Sequence, residues 1–133
     1  MSEANLLLVL RFFEDRVQRN LETFLGFFDS EAEIDFSDLD RPYRRTSRGL
    51  EQIATLFREM NAPWQKVQFT ATNAFSNGDH VVIDVERTAM MRPGGMGVTS
   101  RMSAAITARA GKIVSYKMFQ DRADALRATG LTQ

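Results

Sequence analysis

The chain contains no cysteine, and histidine occurs once among its 133 residues, as His80. Disulfide bonds, thiol nucleophiles and zinc–thiolate centres are therefore excluded, as is a metal site built from several histidines. We expect neither a metal ion nor a cofactor. The absence of cysteine fits a reducing compartment, so we expect a cytoplasmic location.

Charge of one sign is not in excess either, because 17 Lys and Arg residues balance 17 Asp and Glu residues. Such a balance does not favour binding to nucleic acid or to an anionic lipid surface. The longest early apolar run, Leu6–Leu10, covers five residues, which is too short for a membrane span or a secretory signal. We therefore expect a soluble protein with neither nucleic acid nor membrane as a partner.

Proline and glycine are scarce, with 3 and 8 residues, whereas hydrophobic residues make up 44% of the chain. This composition is typical of a globular protein and not of a low-complexity chain. The length predicts one domain over residues 1–133.

The first half of the sequence has the period of amphipathic helices. Apolar residues recur every three or four positions from Leu6 to Val17, which predicts a first helix with Ser2 as its N-cap. A second helix is predicted from its cap Asn20 to about residue 29, and a third over about residues 50–60. These three helices would supply apolar stripes to the core.

A short strand is predicted over residues 32–36, and an arginine-rich irregular loop over residues 37–49. The loop arginines either grip a phosphate or carboxylate or form a solvated surface. They are Arg41, Arg44, Arg45 and Arg48.

After Pro63 the apolar period changes from 3.6 to 2, which predicts β-strands. A four-strand meander is expected over about residues 64–75, 80–91, 98–109 and 112–120, with turns at 76–79, 93–95 and 110–111. Asn77-Gly78 in the first turn is typical of a type I′ hairpin. A short helix, capped by Asp121 and ended by Gly130, completes an α+β pattern.

Alternation along the second and third meander strands separates a polar face from an apolar one. One interpretation is that the apolar face forms the core and the polar face meets water. The other is that the polar face lines a pocket beneath the helices, where buried carboxylates would need Arg101 as a partner. The polar face contains Asp84, Glu86, Arg101 and Ser103, and the apolar face contains Val81, Ile83, Val85, Ala89, Met102, Ala104 and Ile106.

Five short motifs occur in an order and at a spacing that together are fairly specific. They are Asn20-Leu21-Glu22, Arg48-Gly49-Leu50-Glu51-Gln52-Ile53, Ser76-Asn77-Gly78-Asp79, Gly111-Lys112-Ile113-Val114 and Phe119-Gln120-Asp121. Through them nearly the whole chain resembles the SnoaL-like, nuclear-transport-factor-2-like superfamily, which includes ketosteroid isomerases, limonene-epoxide hydrolases and polyketide cyclases. The resemblance implies an α+β fold, with a cone-shaped, curved antiparallel sheet packed on three N-terminal helices and a short C-terminal helix.

The resemblance also implies a deep pocket for a small, largely apolar molecule, and it favours the interpretation in which the polar face lines that pocket. Asp84 and Glu86 would then be general acid and base, with Arg101 orienting one carboxylate, and a structural ion pair or a solvated face is the alternative. Trp64 would either form the pocket rim or pack at a helix–strand junction. Ligand contacts would come from Phe12, Ile34, Phe36, Phe57, Trp64, Val82, Ser103, Tyr116 and Met118.

When the sequence is aligned with this superfamily through these motifs, it lacks the catalytic groups of two well-known activities. The positions of the ketosteroid isomerase base and oxyanion donors fall on Phe36, Phe12 and Ser103, so that oxyanion hole cannot form. Three positions of the limonene-epoxide hydrolase site fall on Ile34, Phe36 and Met118. We expect either cofactor-independent isomerisation or cyclisation by proton transfer, without steroid isomerase activity, or a non-catalytic ligand-binding or dimerisation module.

A homodimer is expected through the apolar sheet face. A monomer with the polar face inside would expose this row of residues as an unusually large apolar patch. In the family that the chain resembles, the outer sheet face is commonly covered by dimerisation.

Overall fold

The computed structural model of this chain describes residues 2–39, 45–62, 64–91 and 97–131. Three sequence predictions lie outside these residues: the turn at 93–95, the placement of Arg41 and Arg44, and the placement of the Trp64 side chain. The backbone of Trp64 is described, because this residue begins a strand.

Eleven elements follow one another along the described chain, and most match the predicted ones in type and position. They are α1 (Ser2–Phe12), α2 (Asp15–Gln18), α3 (Leu21–Leu25), β1 (Phe28–Asp35), β2 (Thr46–Arg48), α4 (Gly49–Asn61), β3 (Trp64–Asn77), β4 (His80–Met91), β5 (Gly97–Arg109), β6 (Lys112–Phe119) and α5 (Arg122–Thr129). The predicted α+β class is confirmed.

The strands form one curved, open sheet in the order β2-β1-β6-β5-β4-β3. Strands β3 to β6 make the predicted antiparallel meander. The sheet is larger than predicted, because β1 adds to β6 in parallel and the three-residue β2 pairs with β1. Strand β2 lies inside the segment that was predicted to be a loop.

The first predicted helix is broken into α1 and α2 by a turn at Phe13 and Glu14. Neighbouring residues of an unbroken helix point about 100° apart, and only one stripe of such a helix faces the core. In this chain the adjacent Phe12 and Phe13 are both buried, and Val17 of α2 is fully buried as well. The break therefore lets more side chains enter the core than one helical stripe would allow.

The core lies between the helices and the concave face of the sheet, which we call the inner face. Helix α1 contacts β3, β4 and β5, and α4 contacts β1, β2 and β3. Helix α5 packs on the opposite, outer face, where Ala125 and Leu126 form a small second cluster with Val82 and Ala105.

The inner face is the apolar one, so the first interpretation of the strand faces is correct and the second is wrong. Val81, Ile83 and Val85 of β4 belong to the main core together with Phe12 of α1. The polar row that begins with Asp84 lies on the outer face. The physical reason is that burying the apolar row beneath the helices removes far more apolar surface from water than burying the polar row would.

The surface predicted for a homodimer is therefore wrong, because the protein's own helices cover it. The outer face instead carries hydroxyl and ionic side chains over much of β4 and β5. Self-association of this chain stays a prediction without an assigned surface.

The hairpin between β3 and β4 forms as predicted but with a different turn. Asn77 pairs with His80, so the two loop residues are Gly78 and Asp79. Among the described residues at this turn, positive φ occurs at Gly78 alone, at 61°. Glycine at the first loop position is the pattern of a type II′ turn, and not of the predicted type I′ turn.

The turn between β5 and β6 holds an alanine in a left-handed conformation. Ala110 has φ 51° and Gly111 has φ 76°, as both loop positions of a type I′ turn require. An L-residue other than glycine, asparagine or aspartate loses about 1–2 kcal/mol in this region.

Replacing Ala110 with asparagine is accordingly expected to stabilise the protein by about 0.5–1 kcal/mol, because asparagine tolerates this conformation. Urea unfolding of the wild type and of Ala110→Asn measures the effect, and Ala110→Val, which is expected to be destabilising, is the matched control. An Ala110→Asn midpoint at or below that of the wild type would contradict the assignment.

None of the described helices has the length and hydropathy that a membrane-spanning segment needs.

Candidate functional site

Beneath the helices, the inner sheet face encloses a cavity of about 40 Å³, which we call the aromatic cavity. Helices α2, α3 and α4 form one wall, and strands β1, β3, β4 and β6 form the other. Its lining consists of Gln18, Phe24, Ile34, Phe36, Leu56, Phe57, Met60, Asn61, Val67, Phe69, Arg87 and Tyr116. Four of these twelve residues are phenylalanines, so the cavity is bounded mainly by aromatic and aliphatic side chains.

The opening of the aromatic cavity lies between the second half of α4 and strand β3. Phe57, Met60, Asn61 and Phe69 are the lining residues that are only half-buried, whereas the others are buried. A volume of 40 Å³ is well below the roughly 150 Å³ of a cavity that holds a benzene-sized guest.

Tyr116 of β6 is held in the cavity wall by edge-on aromatic contacts. Its ring centroid lies 5.4 Å from that of Phe12, at 87°, and 5.4 Å from that of Phe36, at 86°. The residue is 3% exposed, and its hydroxyl makes no hydrogen bond within the described part of the chain. Burial raises the pKa of Tyr116 well above its usual value, and the positive charge of Arg87 offsets part of this rise. At neutral pH Tyr116 is therefore a neutral phenol that can donate a hydrogen bond.

Arg87 is a cation on the apolar face of β4. It lies in the same row as the buried Val85 and Ala89, and its backbone pairs with Phe69 of β3 and Ser100 of β5. Arg87 is 8% exposed and lines the aromatic cavity. Because a guanidinium stays charged at any physiological pH, it supplies permanent positive charge and N–H donors on the cavity side of the sheet.

Two amides complete the polar groups of the lining that the structure describes, and both are engaged with the backbone. Gln18 Nε2 donates to the carbonyl oxygen of Phe12 at 2.7 Å, and Asn61 Nδ2 donates to that of Phe57 at 2.9 Å. Among the described lining residues there is no Asp, Glu or His that could act as a general base. Nor do three such residues come together as metal ligands anywhere in the described ranges.

The predicted catalytic residues lie on the outer face, in a solvent-open groove of about 380 Å³ that we call the outer groove. The sheet therefore separates them from the aromatic cavity. The polar residues of the outer groove are Thr72, Asn73, Asp84, Glu86, Arg101, Ser103, Gln120 and Arg122.

Asp84 fastens helix α5 to the sheet. Ser103 Oγ donates to Asp84 Oδ1 at 2.6 Å, and Arg122 Nε donates to Asp84 Oδ2 at 2.7 Å. The Arg122 guanidinium also lies 5.3 Å from the centre of the Phe75 ring. Partial burial raises the pKa of Asp84, but the hydrogen bonds from Arg122 and Ser103 outweigh it, so the pKa lies below its usual value. Asp84 is therefore ionised at neutral pH, and its hydrogen bonds go to structural partners on β5 and α5.

Arg101 was predicted to pair with one of the two carboxylates, and it pairs with Glu86 at the surface. Arg101 Nε donates to Glu86 Oε2 at 3.3 Å, and the Arg101 side chain is 86% exposed. Exposed ion pairs of this kind contribute about 0–1 kcal/mol. The buried acid–base site predicted here is therefore absent from the described structure.

The structure divides the predicted ligand contacts into three groups. Ile34, Phe36, Phe57 and Tyr116 line the aromatic cavity together. Phe12 and Met118 lie in the core behind it, 0% and 2% exposed. Val82 is covered by α5, and Ser103 binds Asp84 on the outer face, so neither faces the cavity.

Arg87 is the main residue that the sequence reasoning missed. The sequence contains a signal for it: Arg87 continues the alternation of Val81, Ile83 and Val85, so a charged residue falls on the apolar face of the strand. The described arginines of the predicted loop cluster have simpler roles, since Arg45 pairs with Glu59 and Arg48 pairs with Glu33.

Comparison with known proteins agrees with this architecture. Residues 9–116 match the model of the SnoaL-like domain, and the chain belongs to this family. No curated protein matches the chain.

Several solved structures share the fold. An NTF2-like protein from Burkholderia pseudomallei K96243 superposes with a TM-score of 0.76 at 19% identity, over 96% of this chain and 97% of its own. TerC, co-crystallised with polyporic acid, gives 0.75 at 17% identity, over 91% and 94%. RV0760c from Mycobacterium tuberculosis, in complex with estradiol-17β-hemisuccinate, gives 0.74 at 16% identity, over 90% and 94%. At these identities the likeness concerns the fold alone.

Proposed function

We propose that this protein binds a small, largely apolar molecule in the aromatic cavity. The observation that carries the proposal is the position of the cavity: it lies inside the core, opens between α4 and β3, and is lined mainly by aromatic and aliphatic side chains. Sites for small molecules are typically concave and apolar, with a few polar groups that fix orientation, and here those groups are Tyr116 and Arg87.

Two relatives in fold support this proposal by the compounds they were crystallised with. TerC was crystallised with polyporic acid, and RV0760c with estradiol-17β-hemisuccinate. Both compounds are larger than the 40 Å³ cavity, and even a benzene-sized guest needs roughly 150 Å³. Binding therefore requires the half-buried side chains at the opening to move outward, and Met60 is well suited to this because methionine is flexible.

Ligand binding without turnover is the form of the proposal that the lining favours. Isomerisation or cyclisation by proton transfer needs a base within hydrogen-bond reach of the substrate, and the described lining contains no carboxylate or imidazole. Tyr116 can donate a proton but, with its pKa raised by burial, is a poor base.

The proposal is tested with 2-naphthamide, a neutral flat aromatic compound, by isothermal titration against the wild type and two variants of β3. Val67→Phe places a further ring in the aromatic cavity, whereas Thr70→Phe places one on the solvent side of the same strand. We expect measurable binding to the wild type, the same affinity in Thr70→Phe, and at least about a tenfold loss in Val67→Phe.

Phe57→Ala covers the case in which Val67→Phe folds poorly, because it removes a ring from the cavity opening. We expect it to bind 2-naphthamide more tightly than the wild type. Equal affinities in all three variants, or no binding to the wild type at millimolar concentration, would contradict the proposal.

A further inference from the structure

We infer that the ligand of the aromatic cavity is an aromatic acid whose carboxylate or phenolate oxygen is held by Arg87 and Tyr116. The inference rests on the proposed function and names the chemical class of the ligand. It rests on the two polar groups, Arg87 and Tyr116, that the fold places on the cavity side of an otherwise apolar sheet face.

The first observation is the position of Arg87. The inner face of β4 presents Val81, Ile83, Val85 and Ala89, each at most 2% exposed, and a guanidinium in the same row. Arg87 is the only charged residue among the described lining residues, so the lining favours an anionic group on a bound molecule. The planar guanidinium matches a carboxylate in shape, since it can donate two parallel hydrogen bonds.

The second observation is the Tyr116 hydroxyl, which is independent of the first because it comes from a different strand. The residue is 3% exposed, and edge-on contacts with Phe12 and Phe36 fix the orientation of its ring. The hydroxyl makes no hydrogen bond to another described residue, so an acceptor on a bound molecule can take the hydrogen bond that it donates. Tyr116 lines the same cavity as Arg87, and the two are near enough for the charge of Arg87 to influence the pKa of Tyr116.

The remaining lining defines the rest of the ligand. Phe24, Phe36, Phe57 and Phe69 present ring faces and edges, which favour a flat aromatic body over a flexible polar one. The lining thus combines an aromatic enclosure with N–H and O–H donors. An aromatic carboxylate or an acidic phenol has both features.

The experiment compares 2-naphthoate with 2-naphthamide, which share the ring system and differ in charge. Affinities are measured by isothermal titration at pH 7 for the wild type, Arg87→Met, Tyr116→Phe and Arg101→Met. The last variant is the control, because it removes the same charge from the exposed outer face.

For the wild type and for Arg101→Met we expect 2-naphthoate to bind at least about tenfold more tightly than 2-naphthamide. Arg87→Met should reverse the preference, because an anion would then enter an apolar cavity without its cation. Tyr116→Phe removes a single hydroxyl that bonds to no other described residue, so it should fold normally and reduce the preference about three- to tenfold.

Each result has a separate meaning. Equal binding of both compounds by the wild type would overturn the inference and leave the proposed function standing. A preference that persists in Arg87→Met and Tyr116→Phe would also overturn it. Binding of neither compound would contradict the proposed function, and the inference with it.

Discussion

Replacing Phe12 with alanine is expected to lower the free energy of unfolding by about 3–5 kcal/mol. Phe12 is 0% exposed, and its ring lies at the centre of an aromatic cluster that joins α1 to α3, β1 and β6. The centroid distances are 5.0 Å to Phe13, 5.2 Å to Phe24, 5.7 Å to Phe27, 5.4 Å to Phe28 and 5.4 Å to Tyr116. Truncation would leave a cavity that these rings cannot close.

Urea unfolding of Phe12→Ala measures this loss, with Leu7→Ala as the control on the same helix. Leu7 is 49% exposed, so its truncation should cost well under 1 kcal/mol by the usual behaviour of surface positions. A loss below about 1 kcal/mol in Phe12→Ala would show that the aromatic cluster is loosely packed. The sequence prediction of Phe12 as a ligand contact would then regain support.

Replacing Asp84 with asparagine is expected to cost about 1.5–3 kcal/mol at neutral pH, which is typical for hydrogen bonds to a charged group. The carboxylate accepts hydrogen bonds from Ser103 of β5 and from Arg122 of α5, so its loss weakens the attachment of the C-terminal helix. Glu86→Gln, two residues along the same outer face, is the matched control. It should change stability by less than about 1 kcal/mol, because its pair with Arg101 is exposed.

The effect of Asp84→Asn should depend on pH in a defined direction. The folded-state pKa of Asp84 is lowered from its ordinary value of 3.8, because Arg122 and Ser103 donate hydrogen bonds to the carboxylate. Its stabilising contribution is therefore fully present above pH 3.8 and is lost as the pH falls through the folded-state pKa. We expect the difference between wild type and Asp84→Asn to be constant from neutral pH down to the upper edge of this window and to shrink below it. A difference in stability that is equally large at neutral pH and below this window would exclude the ionised carboxylate as its source.

Local sequence patterns were sufficient for most of the elements. The change of apolar period after Pro63 placed the meander strands, and the cap Asn20 does accept a hydrogen bond from the backbone N–H of Thr23 at 3.0 Å. The predicted antiparallel pairing of β4 with β5 left open which of Asp84 and Glu86 lies near Arg101, and the register places Glu86 there. Strand β2 and the parallel pairing of β1 with β6 depend on contacts between distant parts of the chain, so no local pattern indicates them.

The site was assigned to the wrong sheet face partly because of a β-bulge. From the turn pair Arg109–Lys112, a regular hairpin would place Tyr116 opposite Ala105 and Met118 opposite Ser103. The irregularity between Thr107 and Ala108 shifts the register by one residue, so Tyr116 pairs with Ile106 and Met118 with Ala104. A shift of one residue moves a side chain to the other face of a sheet. It therefore separates Tyr116 and Met118 from Ser103 and Arg101, with which the alignment had grouped them.

The lining of the aromatic cavity was more predictable than its polar groups. Ile34, Phe36, Phe57 and Tyr116 were predicted ligand contacts and line one cavity, while their binding role stays a prediction. Arg87 was not among the predicted site residues, because the sequence hypothesis placed the chemistry on the polar face of β4. A charged residue in the apolar phase of a strand was the better indicator.

The central claim is that a guest molecule enters the aromatic cavity, and methyl NMR with 2-naphthamide tests it most directly. Ile34 and Met60 line the cavity, whereas Thr72 lines the outer groove on the other face of the sheet. On titration into protein labelled at isoleucine, methionine and threonine methyl groups, we predict saturable shifts of the Ile34 and Met60 signals and an unchanged Thr72 signal. Shifts confined to Thr72, or unchanged Ile34 and Met60 signals at saturating 2-naphthamide, would contradict the claim.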